Sequence, residues 1–152
     1  MKKQTLMWLT IGLFCVYLIT LVYVTLLTDQ VLRLQESPTY RMQFNLSIFS
    51  YLTSDIESRN YVMKDIGGNL LLLFPFGLFV SFFYNYFIKR KVILFLAVAI
   101  TGLLFSFLIE LIQMLLAYRI FDINDIILNF LGNTAGSVIF IILYPLTIAK
   151  IK

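Results

Sequence analysis

Glu110 is the one charged residue in the 27-residue apolar run Val92–Tyr118. An acidic side chain within hydrocarbon is costly, so it marks either a functional site or a buried ion pair. Amides, hydroxyls and glycines stand near it at helical spacing. Gly102, Ser106, Glu110 and Gln113 fall within an arc of about 80° on a helix that turns ~100° per residue. Downstream, Asp125, Asn129, Gly132, Asn133 and Gly136 fall within an arc of about 100° by the same geometry. Asn69 adds an amide from a third segment. Three kinds of chemistry suit such groups. Glu110, Asp122 and Asp125 are candidates for general acid–base catalysis. Asp122, Asp125 and Asn129 could hold a hard divalent cation. Alternatively, the set could bind a polar headgroup, with Arg41 and Arg119 for anionic groups and Asn45, Asn69, Ser106, Glu110, Gln113, Asp122, Asp125 and Asn129 for sugars or amines.

Composition narrows the choice. The chain has no His, which excludes His-dependent triads and the common zinc sites within it. Cys15 is the single cysteine, so no intramolecular disulfide or cysteine-based metal site can form. No activated nucleophile is apparent, and no cofactor is expected.

The elements that must position these residues are set by where charge is missing. Gln4–Thr28, Ile66–Ile88 and Ile126–Ala149 carry no Asp, Glu, Lys or Arg, and Val92–Tyr118 carries Glu110 alone. A helix needs about 20 apolar residues to cross the hydrocarbon core. The expected fold is therefore an all-α membrane protein, a four-transmembrane-helix bundle forming a single domain over residues 1–152. Its spans are expected at about 5–27, 66–88, 92–118 and 126–149, with a loop over 28–65. Only 13% of residues are charged, where a soluble domain carries about 25%.

Lys2, Lys3, Lys89, Arg90, Lys91, Lys150 and Lys152 lie at the termini and in the turn between spans two and three, without acidic neighbours. Basic residues in short loops mark the cytoplasmic face, so both termini are expected inside and the long loop outside. The net charge of +4 is thus a topology signal, and no nucleic-acid partner is implied. The first span is too long for a signal h-region and lacks a small-x-small cleavage site, so it reads as an uncleaved anchor, with Trp8 at the interface. Arg41–Leu52 alternates polar and apolar residues and is too short to span; an outer interfacial or re-entrant segment is expected there. Pro75 removes a backbone donor and should kink span two.

The polar groups converge in the outer half of the membrane by this topology. Glu110 lies ~12 Å below the outer end of its helix. An outward-opening polar pocket is expected, with the inner halves of the spans lacking comparable groups. Structural readings stand beside the functional ones. Pro75 and Gly77 shape span two, and Gly132-x-x-x-Gly136 is a small-xxx-small packing pattern. The amides and Ser106 could be interhelical glue. Glu110 could pair with Arg119 as a buried ion pair. Asp122 and Asp125 could simply cap span four.

These residues also carry a resemblance. Gly68-Asn69, Leu72 and Pro75-Phe76-Gly77 resemble the G-N-x-x-L-F-x-P-F-G signature of VanZ-like membrane proteins, with Leu73 in place of the Phe. Ser106-x-x-x-Glu110-x-x-Gln113 is similar to that family's S-x-x-x-E-x-x-Q. Arg119-x-x-Asp122-x-x-Asp125-x-x-x-Asn129-x-x-Gly132-x-x-x-Gly136 resembles its third block at the same spacing. Arg41-x-x-x-Asn45-Leu46-x-x-Phe49 is similar to its R-x-x-N-L-x-P-F element, with Ile48 in place of the Pro. The resemblance runs from about Arg41 to Ile142. It implies a multi-pass protein of the bacterial plasma membrane and cell envelope. It also implies a link to resistance against glycopeptide antibiotics such as teicoplanin, and it leaves the mechanism open.

The expected function is an outward-facing site for an amphiphile, such as a lipid-linked cell-wall precursor or a lipoglycopeptide, whose tail stays in the bilayer. An intramembrane acid–base or metal-assisted enzyme acting on a lipid headgroup is one alternative. A small transporter or flippase is the other, with a homodimer able to complete a path across the membrane.

Overall fold

The computed structural model describes residues 3–27, 43–48, 66–116 and 119–148. Four helices are long and apolar enough to cross a membrane: Gln4–Leu26, Ile66–Tyr84, Lys91–Leu115 and Ile123–Tyr144. The chain is an all-α membrane protein, apart from two very short strands. We number its elements α1 (Lys3–Val22), β1 (Phe44–Asn45), α2 (Phe74–Tyr84), α3 (Lys91–Leu116), β2 (Phe121–Asp122) and α4 (Ile123–Ile148). Helices dominate because hydrocarbon offers backbone groups no partners, and a helix satisfies them within itself.

The second span is discontinuous. Residues 66–72 are helical, Leu73 breaks the run with φ −97° and ψ 3°, and α2 resumes with Pro75 in its first turn. Proline has no N–H to donate and fits a first turn, where that donor has no intrahelical acceptor. The Gly77 N–H then reaches back to the Leu73 carbonyl at 3.1 Å. At its other end α2 stops at Tyr84, short of the expected 88. Turns carry the chain onward, with Lys89 Nζ donating to the Asn85 carbonyl at 2.6 Å. The fourth helix begins at Ile123, earlier than the expected 126, because Asp122 caps it.

The chain divides into two compact units, residues 1–44 with 109–121 and residues 45–108 with 122–152. In the first unit, Leu21, Ile109, Met114 and Phe121 are buried. α1 ends in a π-helical turn, Tyr23–Leu27. Threonine hydroxyls on this segment return to carbonyls four residues back, Thr10 to Leu6, Thr20 to Val16 and Thr25 to Leu21. Each hydroxyl is thereby satisfied without water. Trp8, Leu9, Val16 and Ile19 are exposed, as suits a helix solvated by lipid. The Phe121 N–H donates to the Gln43 carbonyl at 3.0 Å, and the Phe44 and Phe121 rings meet at 5.6 Å.

In the second unit, glycines let α2 and α4 touch backbone to backbone. A Cβ at Gly132 would collide with the Leu70 carbonyl, one at Gly136 with the Phe74 carbonyl, and one at Gly77 with the Asn133 carbonyl. A Cβ at Gly102 on α3 would collide with the Asn133 side chain. Small residues at such crossings let membrane helices gain van der Waals contact that larger side chains would block. Phe76 and Phe105 stack with centroids 4.4 Å apart and planes 5° from parallel. Leu73, Val80, Leu94, Val98, Ala99 and Leu128 complete the buried apolar set.

The short strands β1 and β2 pair as a two-stranded sheet. An interfacial or re-entrant segment was expected over Arg41–Leu52; of it only residues 43–48 are described, and there Phe44–Asn45 form β1.

Candidate functional site

The start of α4 gathers most of the expected site residues in the second unit. Asp122 is the helix cap. Its Oδ1 accepts from the Asn124 N–H at 2.8 Å, which satisfies one of the donors a helix start leaves open. The same oxygen accepts from Asn124 Nδ2 at 2.8 Å, and Oδ2 accepts from Asn45 Nδ2 at 2.8 Å. Asn124 Nδ2 also donates to the Ser47 carbonyl at 3.0 Å, and Asn45 Oδ1 accepts from the Ser47 N–H at 3.2 Å. Asn45, Ser47, Asp122 and Asn124 thus form one hydrogen-bonded knot.

Asp125 sits in the first turn of α4, where the positive helix end favours an anion. It is 4% exposed, and its Oδ1 accepts from Asn69 Nδ2 at 2.6 Å. The structural alternative had both aspartates capping span four. The structure assigns the cap to Asp122 and gives Asp125 a side-chain partner from the second span.

One turn further along, Asn129 is 2% exposed, and its Oδ1 has no hydrogen-bond donor among the described residues. Ser106 on α3 is fully buried, and its hydroxyl reaches the Ile126 carbonyl at a long 3.4 Å. One more turn along, Asn133 donates through Nδ2 to the Val98 carbonyl at 3.1 Å. Its Oδ1 also lacks a donor among the described residues. Gly132 and Gly136 flank these asparagines as the contact surface for the second span.

The polar face does not stop there. Ser81 and Ser137 are both fully buried, and Ser81 Oγ donates to Ser137 Oγ at 3.0 Å. Tyr84 OH and Thr101 Oγ1 lie 3.0 Å apart, and the Thr101 hydroxyl donates to the Ala97 carbonyl at 2.8 Å. This corrects the expectation that polar groups end halfway along the spans. Serine and threonine are weakly polar by type, and Ser81, Thr101 and Ser137 stand outside the arcs that singled out Ser106.

The first unit holds the remaining residues. Glu110 is buried, 1% exposed. Gln113, expected as a ligand contact, donates through Nε2 to the Thr25 carbonyl at 3.1 Å, at the π-helical turn that ends α1. The Arg119 N–H reaches the Gln113 carbonyl at 3.4 Å. Arg41 lies outside the described residues. Asn124 and Thr25 were not singled out from sequence. Asp122-Ile123-Asn124 has the spacing of a side-chain turn at a helix start, which is the signal that could have found Asn124.

Chemically, the second unit presents carboxylates engaged by amide donors, followed by buried carbonyl acceptors. No group of three or more His, Cys, Asp or Glu side chains suited to a metal ion occurs among the described residues. A cation held by Asp122, Asp125 and Asn129 would share those carboxylates with the Asn45, Asn69 and Asn124 amides.

A family model described as VanZ/LLP1 matches residues 14–144, a range that takes in part of α1 and nearly all of the other three helices. Protein VanZ of Enterococcus faecium is 29% identical over 132 residues, covering 82% of this chain and 69% of that protein. No solved structure matches the chain significantly.

Proposed function

The chain belongs to the VanZ/LLP1 family, and from that premise we propose that it binds the polar headgroup of an amphiphile within the outer half of the bacterial plasma membrane and thereby contributes to glycopeptide resistance. The observation that carries this reading is the side chain of Asn129. It is buried at 2% exposure with a carbonyl oxygen that no described residue hydrogen-bonds. An unmade hydrogen bond of this kind costs about 1–3 kcal/mol, and a bound donor would recover it. Asn129 lies one turn beyond Asp125, which Asn69 holds at 2.6 Å. The family's link to teicoplanin makes a lipoglycopeptide, or the lipid-linked wall precursor such drugs engage, a suitable ligand. Its tail would stay in lipid while its head meets the asparagines. The basic residues near both termini support a topology with those termini in the cytoplasm and the start of α4 on the outer side.

Expression in a teicoplanin-susceptible bacterium tests the reading. The wild-type chain should raise the inhibitory concentration, and Asn129→Leu at equal membrane level should return it to the susceptible value. Full resistance in that variant would overturn the assignment of the site.

The buried hydroxyl pairs Ser81–Ser137 and Tyr84–Thr101 favour a second reading, a small transporter or flippase, because they extend the polar face of this unit beyond Asn133. Reconstituted vesicles carrying a dithionite-quenchable fluorescent lipid would decide it, and an unchanged rate of lipid exchange between leaflets would defeat it. The enzyme readings have less support, since both Asp122 and Asp125 face asparagine amides.

A further inference from the structure

Asn129 and Asn133 stand one turn apart on α4, 2% and 0% exposed, each with Oδ1 lacking a donor among the described residues. The Asn133 amide cannot readily turn to offer its N–H groups instead. Its Nδ2 is held by the Val98 carbonyl at 3.1 Å, and the amide lies in the space left by the missing side chain of Gly102. Ser106, also fully buried, spans 3.4 Å to its acceptor, a weak hold that leaves its hydroxyl able to serve a bound group. The basic side chains among the described residues of this unit are Lys89, Arg90 and Lys91, all exposed in the turn between α2 and α3.

Buried polar groups are almost always hydrogen-bonded, and a low-dielectric surrounding makes each exception costly. Asn129 can present either end of its amide, so the Asn133 Oδ1, held in place by the Val98 contact, defines the chemistry of what completes the pair. We infer that the deep end of the site is built for hydrogen-bond donors, the hydroxyls of a sugar or an ammonium group, and not for a phosphate. A phosphate offers acceptor oxygens and calls for guanidinium, ammonium or backbone N–H donors. Carbonyl oxygens would repel it. This inference rests on the binding role proposed above.

The test uses the full chain in phosphatidylcholine nanodiscs, titrated with octyl glucoside, octylammonium or octyl phosphate below their micelle concentrations. Thermal unfolding is the readout. A rise in Tm with octyl glucoside or octylammonium, and none with octyl phosphate, is expected. A rise with one donor probe alone supports the inference and tells hydroxyl from ammonium recognition. Asn129→Leu should weaken that effect about tenfold, the loss of roughly one hydrogen bond. Should the Leu variant fail to insert, Asn129→Asp keeps acceptor oxygens and adds charge. It should shift preference toward octylammonium over octyl glucoside by at least about tenfold. An undiminished effect in Asn129→Leu, or an unchanged preference in Asn129→Asp, overturns the inference. Octyl phosphate as the preferred probe also overturns it, while leaving amphiphile binding intact. No rise with any of the three removes both.

Discussion

Asn69 gives its side-chain amide to Asp125 Oδ1 at 2.6 Å across 56 residues of sequence. This one contact joins the helical turns before the Leu73 break to the first turn of α4. A hydrogen bond to a charged acceptor in a buried setting is among the stronger ones a membrane protein makes. It also sits one turn before Asn129, the first of the buried acceptors.

Exchanging the two partners tests the contact. Asn69→Asp alone brings two carboxylates together and should destabilise the protein by about 1–3 kcal/mol. Combining Asn69→Asp with Asp125→Asn restores an amide–carboxylate pair with the roles reversed and should recover most of the loss. Thermal unfolding in detergent micelles gives both numbers. A double variant no more stable than Asn69→Asp would show that the two side chains do not depend on each other.

Asp122 and Asp125 should separate by function. Asp122 is the cap, and it also takes amides from Asn45 and Asn124. Asp122→Ala should therefore cost about 1–3 kcal/mol, and Asp122→Asn distinctly less, because Asn caps nearly as well as Asp. Asp125 accepts from Asn69 Nδ2, so Asp125→Asn probes that contact and the site beside it. We expect Asp125→Asn to reach the membrane at the wild-type level and to lose the resistance phenotype. Full resistance there would leave Asp125 with a structural role alone.

Glycine substitutions should sort by what lies opposite. Ala at Gly77, Gly132 or Gly136 places a Cβ against backbone carbonyls of Asn133, Leu70 and Phe74, which cannot move aside as a side chain can. Each should cost about 1–3 kcal/mol. Gly12 has nothing within 4 Å of the same position. Gly12→Ala should stay within about 0.5 kcal/mol or gain slightly from helix propensity. A thermal-unfolding series in which Gly12→Ala matches Gly132→Ala would refute close backbone packing of the second span on α4.

The four spans were legible because hydrocarbon excludes charge: three gaps of 23–25 residues between charges, and a 27-residue run broken by Glu110 alone, are visible by eye. The buried face of α4 was legible because Asp125, Asn129 and Asn133 recur every fourth residue, the spacing that keeps one face of a helix. Partners were not legible. Asn45 meets Asp122 across 77 residues and Gln113 meets Thr25 across 88, and no local pattern encodes such pairings. The two-residue strands are shorter than any period can register. Gln113 shows the limit best. Its place on the arc with Glu110 suggested ligand contact, but not that its Nε2 donates to the Thr25 carbonyl in the π-helical turn after α1.

Glu110 and Gln113 share one helix, both buried, at 1% and 4% exposure. Spacing alone cannot tell their roles apart, but their surroundings should. Gln113 donates to the Thr25 carbonyl, which belongs to a π-helical turn. Such turns part from the usual i→i−4 pairing, and a side-chain donor helps satisfy them inside the membrane. Gln113→Leu should therefore lower stability by about 1–3 kcal/mol through the acceptor left behind. Whatever resistance it loses should follow the loss of protein from the membrane. Glu110 is different in kind. A carboxylate this deep in an apolar span is costly to keep, and its retention points to use. Glu110→Gln keeps the shape and an acceptor oxygen and should preserve the fold. Glu110→Leu should also pack, since an apolar side chain suits that position, yet lose the resistance phenotype at undiminished membrane level. Immunoblotting of membranes beside inhibitory concentrations separates the two cases. A Glu110→Leu protein present at the wild-type level with wild-type resistance would show that the carboxylate is not needed.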